Sequence, residues 1–187
     1  RSRLTNLRQE YNTAMTDTMN KLSHYRSGPA LFQKIVQTEE QLWAKKLNPG
    51  EGIALNEALC ENIFMIIVCI LNRIPIFVVG KPGSSKSLAV ELIGSNFNGK
   101  SSIEPFFHQF PAIEIFPYQC SPLSTSEGIL QTFKRAKDYQ DATKETRVVV
   151  LLDEVGLAEQ SPHLPLKVLH KLLEPPDLAV IGISNWA

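Results

Sequence analysis

The sequence has few cysteines and no pattern typical of a zinc site. Its three cysteines, an odd count, are Cys60, Cys69 and Cys120, and two of them lie inside apolar runs. This pattern argues against a disulfide framework and predicts buried, reduced thiols of the kind found in cytosolic proteins. His163 and His170 have no zinc-ligand spacing to any cysteine.

An excess of charge of one sign is also absent. Lysine and arginine number 19, aspartate and glutamate number 19, and the formal net charge is +0. Without a global basic field, we expect no nucleic-acid partner and no electrostatic binding to a membrane surface. The longest apolar run, residues 63–71, is shorter than the roughly 20 residues that cross a bilayer, so no transmembrane segment is expected.

Turn-forming residues at positions 48–52, Asn-Pro-Gly-Glu-Gly, mark the predicted domain boundary. Before it, apolar residues at helical spacing predict helices over 1–25 and 30–47. We expect this helical segment, residues 1–48, to belong partly to a neighbouring module. Residues 49–187 form the second predicted domain. Neither end of the chain looks natural, which suggests a piece of a longer protein.

Four apolar stretches typical of strands alternate with helical stretches in the second domain. The predicted strands are 76–79, 112–119, 148–152 and 178–183. This alternation predicts an α/β fold, a parallel sheet flanked by helices and joined by right-handed crossovers. Pro117 cannot donate a ladder hydrogen bond, so the strand that contains it is predicted to lie at an edge of the sheet.

Three details outside the strands are also predicted. A helix, mostly buried, is expected over 53–71. The loop 94–109 contains Phe106 and Phe107, which either anchor the core or form an exposed protein-contact tip; core anchors are the commoner case. The sequence from Ser124 to Glu127 fits a capping box that starts a helix. The residues of that helix expected to face inward are Ile129, Leu130, Phe133 and Ala136.

A phosphate-binding loop of the Walker A type is predicted directly after strand 76–79. Its residues are Gly80, Lys81, Pro82, Gly83, Ser84, Ser85, Lys86 and Ser87. They fit the pattern G-x-x-x-x-G-K-[ST] except at Ser85, where the pattern has glycine. Backbone N–H groups of such a loop bind phosphate, Lys86 can reach the β- and γ-phosphates of a nucleotide, and the Ser87 hydroxyl can bind Mg²⁺. If position 85 requires a positive φ, serine there adds about 1–3 kcal/mol of strain.

Two carboxylates, Asp153 and Glu154, follow the buried strand 148–152 in the manner of a Walker B motif. They lie at the carboxyl end of a parallel strand, where open α/β sheets bind ligands. Asp153 is predicted to hold Mg²⁺ through water, and Glu154 to polarise the attacking water. An isolated Asp-Glu pair is more often a helix cap, but its position downstream of a phosphate-binding loop favours the functional interpretation.

In combination, these motifs resemble the core of an AAA+ ATPase over about residues 50–187. Asn185, at the end of the last strand, occupies the position of that family's polar sensor residue. The resemblance implies a P-loop NTPase that binds ATP and Mg²⁺ and hydrolyses ATP, with Asn185 between the loop and Glu154. It also implies a fifth strand and a helical lid, before which this chain stops. An arginine finger is implied in trans, from a neighbouring AAA+ unit.

The loop, together with residues 152–159 and 169–174, more closely resembles the AAA+ units of giant RING-type E3 ubiquitin ligases, which carry a dynein-like row of such units. This resemblance implies a cytoplasmic protein, partly associated with lipid droplets, that meets ubiquitin-conjugating machinery through other domains. Three scattered cysteines leave no RING zinc site in this chain. We expect the isolated chain to bind nucleotide weakly and to hydrolyse it slowly, because electrostatic stabilisation in trans is worth on the order of 10³–10⁵ in rate.

Three other functions remain open at this stage. The first is a nucleotide-binding structural module of an AAA+ ring with little or no turnover, which the presence of Glu154 disfavours. The second is a small-molecule kinase on a P-loop fold, which would require an acceptor site and a lid between the motifs. The third is a nucleic-acid translocase, which the neutral charge balance disfavours.

Overall fold

The computed structural model describes residues 13, 16, 28–143, 145–174 and 176–185. The chain divides into two compact units, Arg1–Leu47 and Asn48–Ala187. In the first unit, helix α1 spans Gly28–Ala44 and begins with a proline in its first turn, where the missing N–H has no intrahelical partner. The helix predicted over 1–25 falls almost entirely outside the described residues.

The second unit is built on a four-stranded parallel sheet. Its strands are β1 (Ile76–Gly80), β2 (Ala112–Gln119), β3 (Thr146–Asp153) and β4 (Ala179–Asn185). Their order in the sheet is β1-β4-β3-β2, and each neighbouring pair is parallel. The predicted α/β sheet is confirmed, and the strand that contains Pro117 lies at an edge, as expected.

Helices connect these strands and cover both faces of the sheet. They are α2 (Glu57–Asn72), α3 (Lys86–Asn96), α4 (Ser126–Ala142), α5 (Val155–Ala158) and α6 (Leu169–Leu173). Short 3-10 turns occupy Gly99–Ser101, Pro105–Gln109 and Pro165–Val168. α2 packs on α3 and on β4, while α4 packs on β3.

The core around β3 shows why this strand is almost continuously apolar. Val148, Val150 and Leu152 are fully buried and share one cluster with Ile129 and Phe133 of α4. The intervening Val149 is also buried, because helices cover both faces at this position. Each such side chain stabilises the fold by about 1.5–3 kcal/mol relative to an exposed one.

Both predicted helix starts in this unit are displaced. The helix predicted from residue 53 begins at Glu57, because the Asn56 side chain accepts a hydrogen bond from the Leu59 N–H at 2.9 Å and caps it. The capping box predicted from Ser124 is wrong by one residue. Thr125 is the cap and accepts from the Gly128 N–H at 3.2 Å, whereas Ser124 Oγ accepts from the Ser121 N–H in the preceding turn.

Several burial expectations also require correction. Leu130 is 45% exposed, whereas Ile129, Phe133 and Ala136 are buried as predicted. Cys120 is buried, but Cys60 and Cys69 are only partly so. α2, predicted to be mostly buried, exposes Met65 and Val68 to solvent.

The aromatic residues of the loop 94–109 are core anchors. α3 extends to Asn96, and Phe97 follows it with no exposed surface. Phe107 is equally buried, and its ring centroid lies 4.5 Å from that of Phe97. Phe106 and Phe110 pack against this pair at centroid distances of 5.3 and 5.9 Å. These offset ring contacts fix the chain between α3 and β2.

Candidate active site

The predicted site residues meet at one rim of the sheet. β1, β3 and β4 run parallel and end at Gly80, Asp153 and Asn185. Gly80 and Asn185 are direct partners in the pairing of β1 with β4. The loop that follows β1 and the carboxylates that follow β3 therefore share the edge at which parallel α/β sheets bind ligands.

The loop between β1 and α3 requires unusual backbone conformations at two positions. Gly83 has φ 79°, and Ser85 has φ 59° and ψ 19°, in the left-handed region. Ser85 therefore meets the condition under which serine is strained there, at a cost of about 1–3 kcal/mol. A Cβ on Gly80 would lie 2.9 Å from Ser84 Oγ, so a larger residue would displace this hydroxyl where the loop turns back on the strand. Lys81, Pro82 and Gly83 are exposed along the outer side of the loop.

Lys86 is the buried centre of this loop, with 6% of its surface exposed. Its Nζ lies 3.0 Å from Gly80 O, 2.9 Å from Lys81 O and 3.1 Å from Ser84 Oγ. A fourth oxygen, Asn185 Oδ1, lies at 3.0 Å. An ammonium group has three N–H donors, so it satisfies only three of these four acceptors at once. The fourth contact is therefore exchangeable without loss of hydrogen bonding.

Asn185 connects this lysine to the carboxylate of Glu154. Its Oδ1 accepts from Lys86, and its Nδ2 donates to Glu154 Oε1 at 2.6 Å. The orientation of the amide follows from these partners, since only its oxygen can accept from an ammonium and only its nitrogen can donate to a carboxylate. The structure thus brings together the three residues predicted as catalytic from the sequence.

Glu154 reaches this position through a local turn at the end of β3. Its backbone is left-handed, with φ 53° and ψ 46°, and its N–H donates to Asp153 Oδ1 at 3.0 Å. The Gly156 N–H donates to Ser184 Oγ at 3.2 Å, which ties the turn to β4. A Cβ on Gly156 would lie 2.8 Å from that hydroxyl, so the turn requires glycine for close approach.

The donor set at this rim fits a magnesium ion. Ser87 lies in the first turn of α3 and is exposed, and Asp153 is half-buried at the end of β3. Hydroxyl and carboxylate oxygens are the ligands Mg²⁺ prefers, and this ion commonly takes its remaining ligands from phosphate and water. In the described part of the chain, no group of three or more His, Cys, Asp or Glu could hold a metal ion alone. Ser87 and Asp153 are therefore the residues that would hold Mg²⁺ alongside a nucleotide.

Cys120 lies beside Asp153 at the end of β3. Its N–H donates to the Asp153 carbonyl at 2.8 Å. Burial, and secondly the Asp153 carboxylate, raise the pKa of the Cys120 thiol to about 11. The thiol is therefore neutral at physiological pH.

One residue that supports the loop was not anticipated from the sequence. Asn62 of α2 donates from Nδ2 to the Ser84 carbonyl at 3.0 Å, directly before the strained Ser85. The only signal in the sequence is a polar side chain directly before the apolar run 63–71 of that helix. Such a signal does not indicate which group the side chain binds, and Ser84 lies 22 residues further along the chain.

The fold and the rim together define an AAA+ unit of the nucleotide-binding type. The family model described as the RNF213 AAA domain matches residues 52–187, and the chain belongs to this family. The resemblance to the AAA+ units of giant E3 ubiquitin ligases, expected from the sequence, is thereby confirmed.

Two curated relatives carry that name. The chain is 44% identical over 175 residues to the human E3 ubiquitin-protein ligase RNF213, covering 87% of this chain and 3% of that protein. It is 39% identical over 189 residues to the mouse protein, covering 95% of this chain and 4% of that protein. The chain therefore spans a small fraction of the length of these relatives.

Among solved structures, the S. cerevisiae Hsp104–ADP complex matches with a TM-score of 0.47 and 20% identity, covering 78% of this chain and 20% of that chain. Within the described residues, no helix is both long enough and apolar enough to cross a membrane.

Proposed function

We propose that this chain binds ATP with Mg²⁺ and hydrolyses it, as one AAA+ unit of a giant E3 ubiquitin-protein ligase of the RNF213 type. The observation that carries the proposal is the hydrogen-bonded connection from the Lys86 ammonium through the Asn185 amide to the Glu154 carboxylate. It joins a phosphate-binding group to a candidate base at one rim of the sheet. The membership of the RNF213 AAA domain family supports the same assignment.

Each residue of the rim has a defined role in this proposal. The loop from Gly80 to Ser87 binds the phosphates through its backbone N–H groups and the start of α3. Lys86 exchanges one or more of its loop acceptors for β- and γ-phosphate oxygens. The metal ion, bound by Ser87 and Asp153, supplies charge neutralisation on the phosphates. Glu154 accepts a proton from water, and Asn185 holds the Glu154 side chain beside the γ-phosphate position.

We infer the setting of this unit from its resemblance to the same family. Neighbouring AAA+ units of the ligase supply the arginine finger in trans, and other domains meet the ubiquitin-conjugating machinery. The protein acts in the cytoplasm and on lipid droplets. These statements concern the whole ligase, of which this chain covers a few per cent.

A second candidate function is a unit that holds nucleotide as a structural element with little or no turnover. The short contact between Asn185 Nδ2 and Glu154 Oε1 favours it, because the amide occupies one carboxylate oxygen that would otherwise be open to water. Under this alternative, Asn185 keeps Glu154 away from water throughout the cycle of the ring.

The substitution Glu154→Gln in the complete ligase tests both functions. If the unit hydrolyses ATP, the variant retains ATP binding and loses the turnover contributed by this unit. If the unit is structural, turnover and binding both stay at the wild-type level, which would contradict the proposal. Glu159→Gln is the matched control, because Glu159 is exposed and outside the rim. Lys86→Ala weakens ATP binding under either function, so this variant does not distinguish the two functions.

A further inference from the structure

A second concave site lies at the opposite end of the strands. It is a cleft of about 840 Å³, lined by residues 98–101 and 108–111, the beginnings of β2 and β3, the end of α4, and the residue that follows α2. This volume falls within the range of about 300–1,000 Å³ typical of small-molecule sites. β3 separates the two sites by its length, about 23 Å at roughly 3.3 Å per residue. The cleft is therefore independent of the phosphate-binding loop.

The carboxylates that line the cleft already have cationic partners. Glu145 lies 3.8 Å from Lys100, and Asp141 lies 3.4 Å from Lys137. These pairs are exposed and contribute little stability. Their geometry nevertheless shows that the acidic side chains face lysines.

The two arginines of the cleft, Arg73 and Arg147, have a different environment. Within the residues that the structure describes, no carboxylate lies at ion-pair distance from either guanidinium. Arg147 is half-buried, its Nε is enclosed by protein without a hydrogen-bond partner, and its one bond is a long one of 3.4 Å from Nη2 to the Leu71 carbonyl. Burial, and secondly the positive charge of Arg73, lower the pKa of Arg147.

This arrangement is unfavourable unless an anion is present. A desolvated guanidinium beside a second cation lacks the compensation that buried charges normally have. The weak contact to the end of α2 satisfies one of five N–H donors of Arg147 and does not involve Arg73. An anion between the two guanidiniums would compensate both charges. Phosphate matches two guanidiniums that line one cleft, because it carries up to two negative charges and several acceptor oxygens.

We propose that this cleft binds a phosphate group, held between Arg73 and Arg147, and that its ligand is a phosphate-bearing small molecule distinct from the nucleotide at the Walker A loop. The ligand is a small molecule because the site is a concave cleft at the starts of two strands. The inference does not depend on ATP hydrolysis at the other rim.

The test is a titration of the 187-residue chain, carrying Lys86→Ala to remove phosphate binding at the loop, with inorganic phosphate and in parallel with glycerol 2-phosphate. Backbone amide NMR shifts report the site. We expect saturable shifts at the starts of β2 and β3 and at the end of α4, with an affinity that falls as salt is raised. Tighter binding of the ester assigns the cleft to a phosphorylated compound, and equal binding assigns it to the free anion.

Arg73→Gln should weaken phosphate binding by about tenfold, since hydrogen bonds to charged groups are the stronger ones. Arg73 is exposed, so this variant is expected to fold. Arg147→Lys keeps the positive charge but removes the forked set of N–H donors of the guanidinium, so it should also weaken phosphate binding. Lys134→Gln, at an exposed position of α4, is the control and should bind as the parent does. The proposal fails if no shifts appear, if both arginine variants bind like the control, or if an acidic peptide saturates the site and phosphate does not.

Discussion

The side chain of Asn62 holds the loop between β1 and α3 from a different element of the fold. Its Nδ2 donates to the backbone carbonyl of Ser84 at 3.0 Å. This carbonyl belongs to the peptide that precedes Ser85, the residue with φ 59°. A residue in a sparsely populated region of backbone space keeps it only where neighbours determine it. Helix α2 therefore contributes to the shape of the loop although no residue of its own belongs to the Walker A pattern.

Asn62→Ala is expected to weaken ATP binding by about five- to tenfold, in line with the loss of one hydrogen bond of about 1 kcal/mol that orders the loop. The melting temperature should change little, because Asn62 is only partly buried. Calorimetric titration with ATP, together with thermal unfolding of the same samples, measures both quantities.

Asn72→Ala is the matched control for this variant. Asn72 lies on the same helix and donates from Nδ2 to the Val68 carbonyl at 2.8 Å, at an exposed position far along α2 from the loop. It should leave ATP affinity unchanged. Equal affinities for the Asn62 and Asn72 variants would show that the bond to Ser84 does not order the loop for binding.

Ser85→Gly is expected to raise the free energy of unfolding by about 1 kcal/mol. Glycine removes left-handed strain of about 1–3 kcal/mol, and the greater freedom of the unfolded chain offsets part of that gain. ATP affinity should change little, because the loop already has the left-handed turn before binding. Denaturant unfolding and nucleotide titration measure the two effects.

Leu164→Gly provides the comparison for Ser85. Leu164 has φ 45° and is 51% exposed, so glycine there relieves similar strain away from the nucleotide rim. It should stabilise the chain without effect on ATP binding. A loss of stability in Ser85→Gly, with a gain in Leu164→Gly, would mean that the serine side chain has a structural role in the loop.

The strands of this fold could be predicted from the sequence, whereas the exact helix starts could not. The run 148–152 is apolar at every position and contains three consecutive β-branched valines, which favours a strand covered on both faces. Pro117 excluded the centre of the sheet for its strand. Ser124 and Thr125 both fit a helix cap, and the choice depends on a turn in which Ser124 bonds to the Ser121 N–H. Sequence spacing does not contain that turn.

The candidate site was predictable in its location more than in its contacts. The residues at the ends of parallel strands share one rim, so the proximity of Lys86, Glu154 and Asn185 follows from the predicted topology. The hydrogen bond from Asn62 to the loop joins side chain to backbone across separate elements. Such a bond depends on how α2 is seated on the sheet, which local patterns do not specify.

Gly182→Ala is expected to destabilise the chain by about 1–3 kcal/mol, the usual range for overpacking. Gly182 is paired with Phe77 in the sheet, and a Cβ there would lie 2.2 Å from Phe77 Cδ1. The ring must therefore leave the surface of β4. Denaturant unfolding of the single variant, and of the same change combined with Phe77→Val, measures the effect.

The double variant should recover most of the loss, because residues in direct contact are energetically coupled. Gly94→Ala serves as the control: it lies within α3, and its nearest neighbour is the flexible end of Ile115 at 3.1 Å. Alanine is the better helix former, so no net loss is expected there. If Gly182→Ala is as harmless as Gly94→Ala, the ring of Phe77 does not rest on β4.

Cys120 predicts a dependence of stability on alkaline pH. Burial and the Asp153 carboxylate raise the pKa of its thiol from the usual 9.0 to about 11. Because the pKa is higher in the folded state, the contribution of the Cys120 thiol to stability is fully present below pH 9 and is lost as the pH rises through 11. Its size is on the order of 2 kcal/mol. The difference in unfolding free energy between the wild type and Cys120→Ala should therefore be constant up to about pH 9. Above that pH, the wild type should lose stability relative to Cys120→Ala.

Alkylation of the native chain provides an independent measurement of the same property. The thiolate is the reactive form, so at pH 8 Cys120 should react with iodoacetamide only after denaturation. Cys60, which is partly buried, serves as the internal reference in the same mass spectrum. Native-state labelling of Cys120 at the rate of Cys60 would contradict the raised pKa of the buried Cys120 thiol.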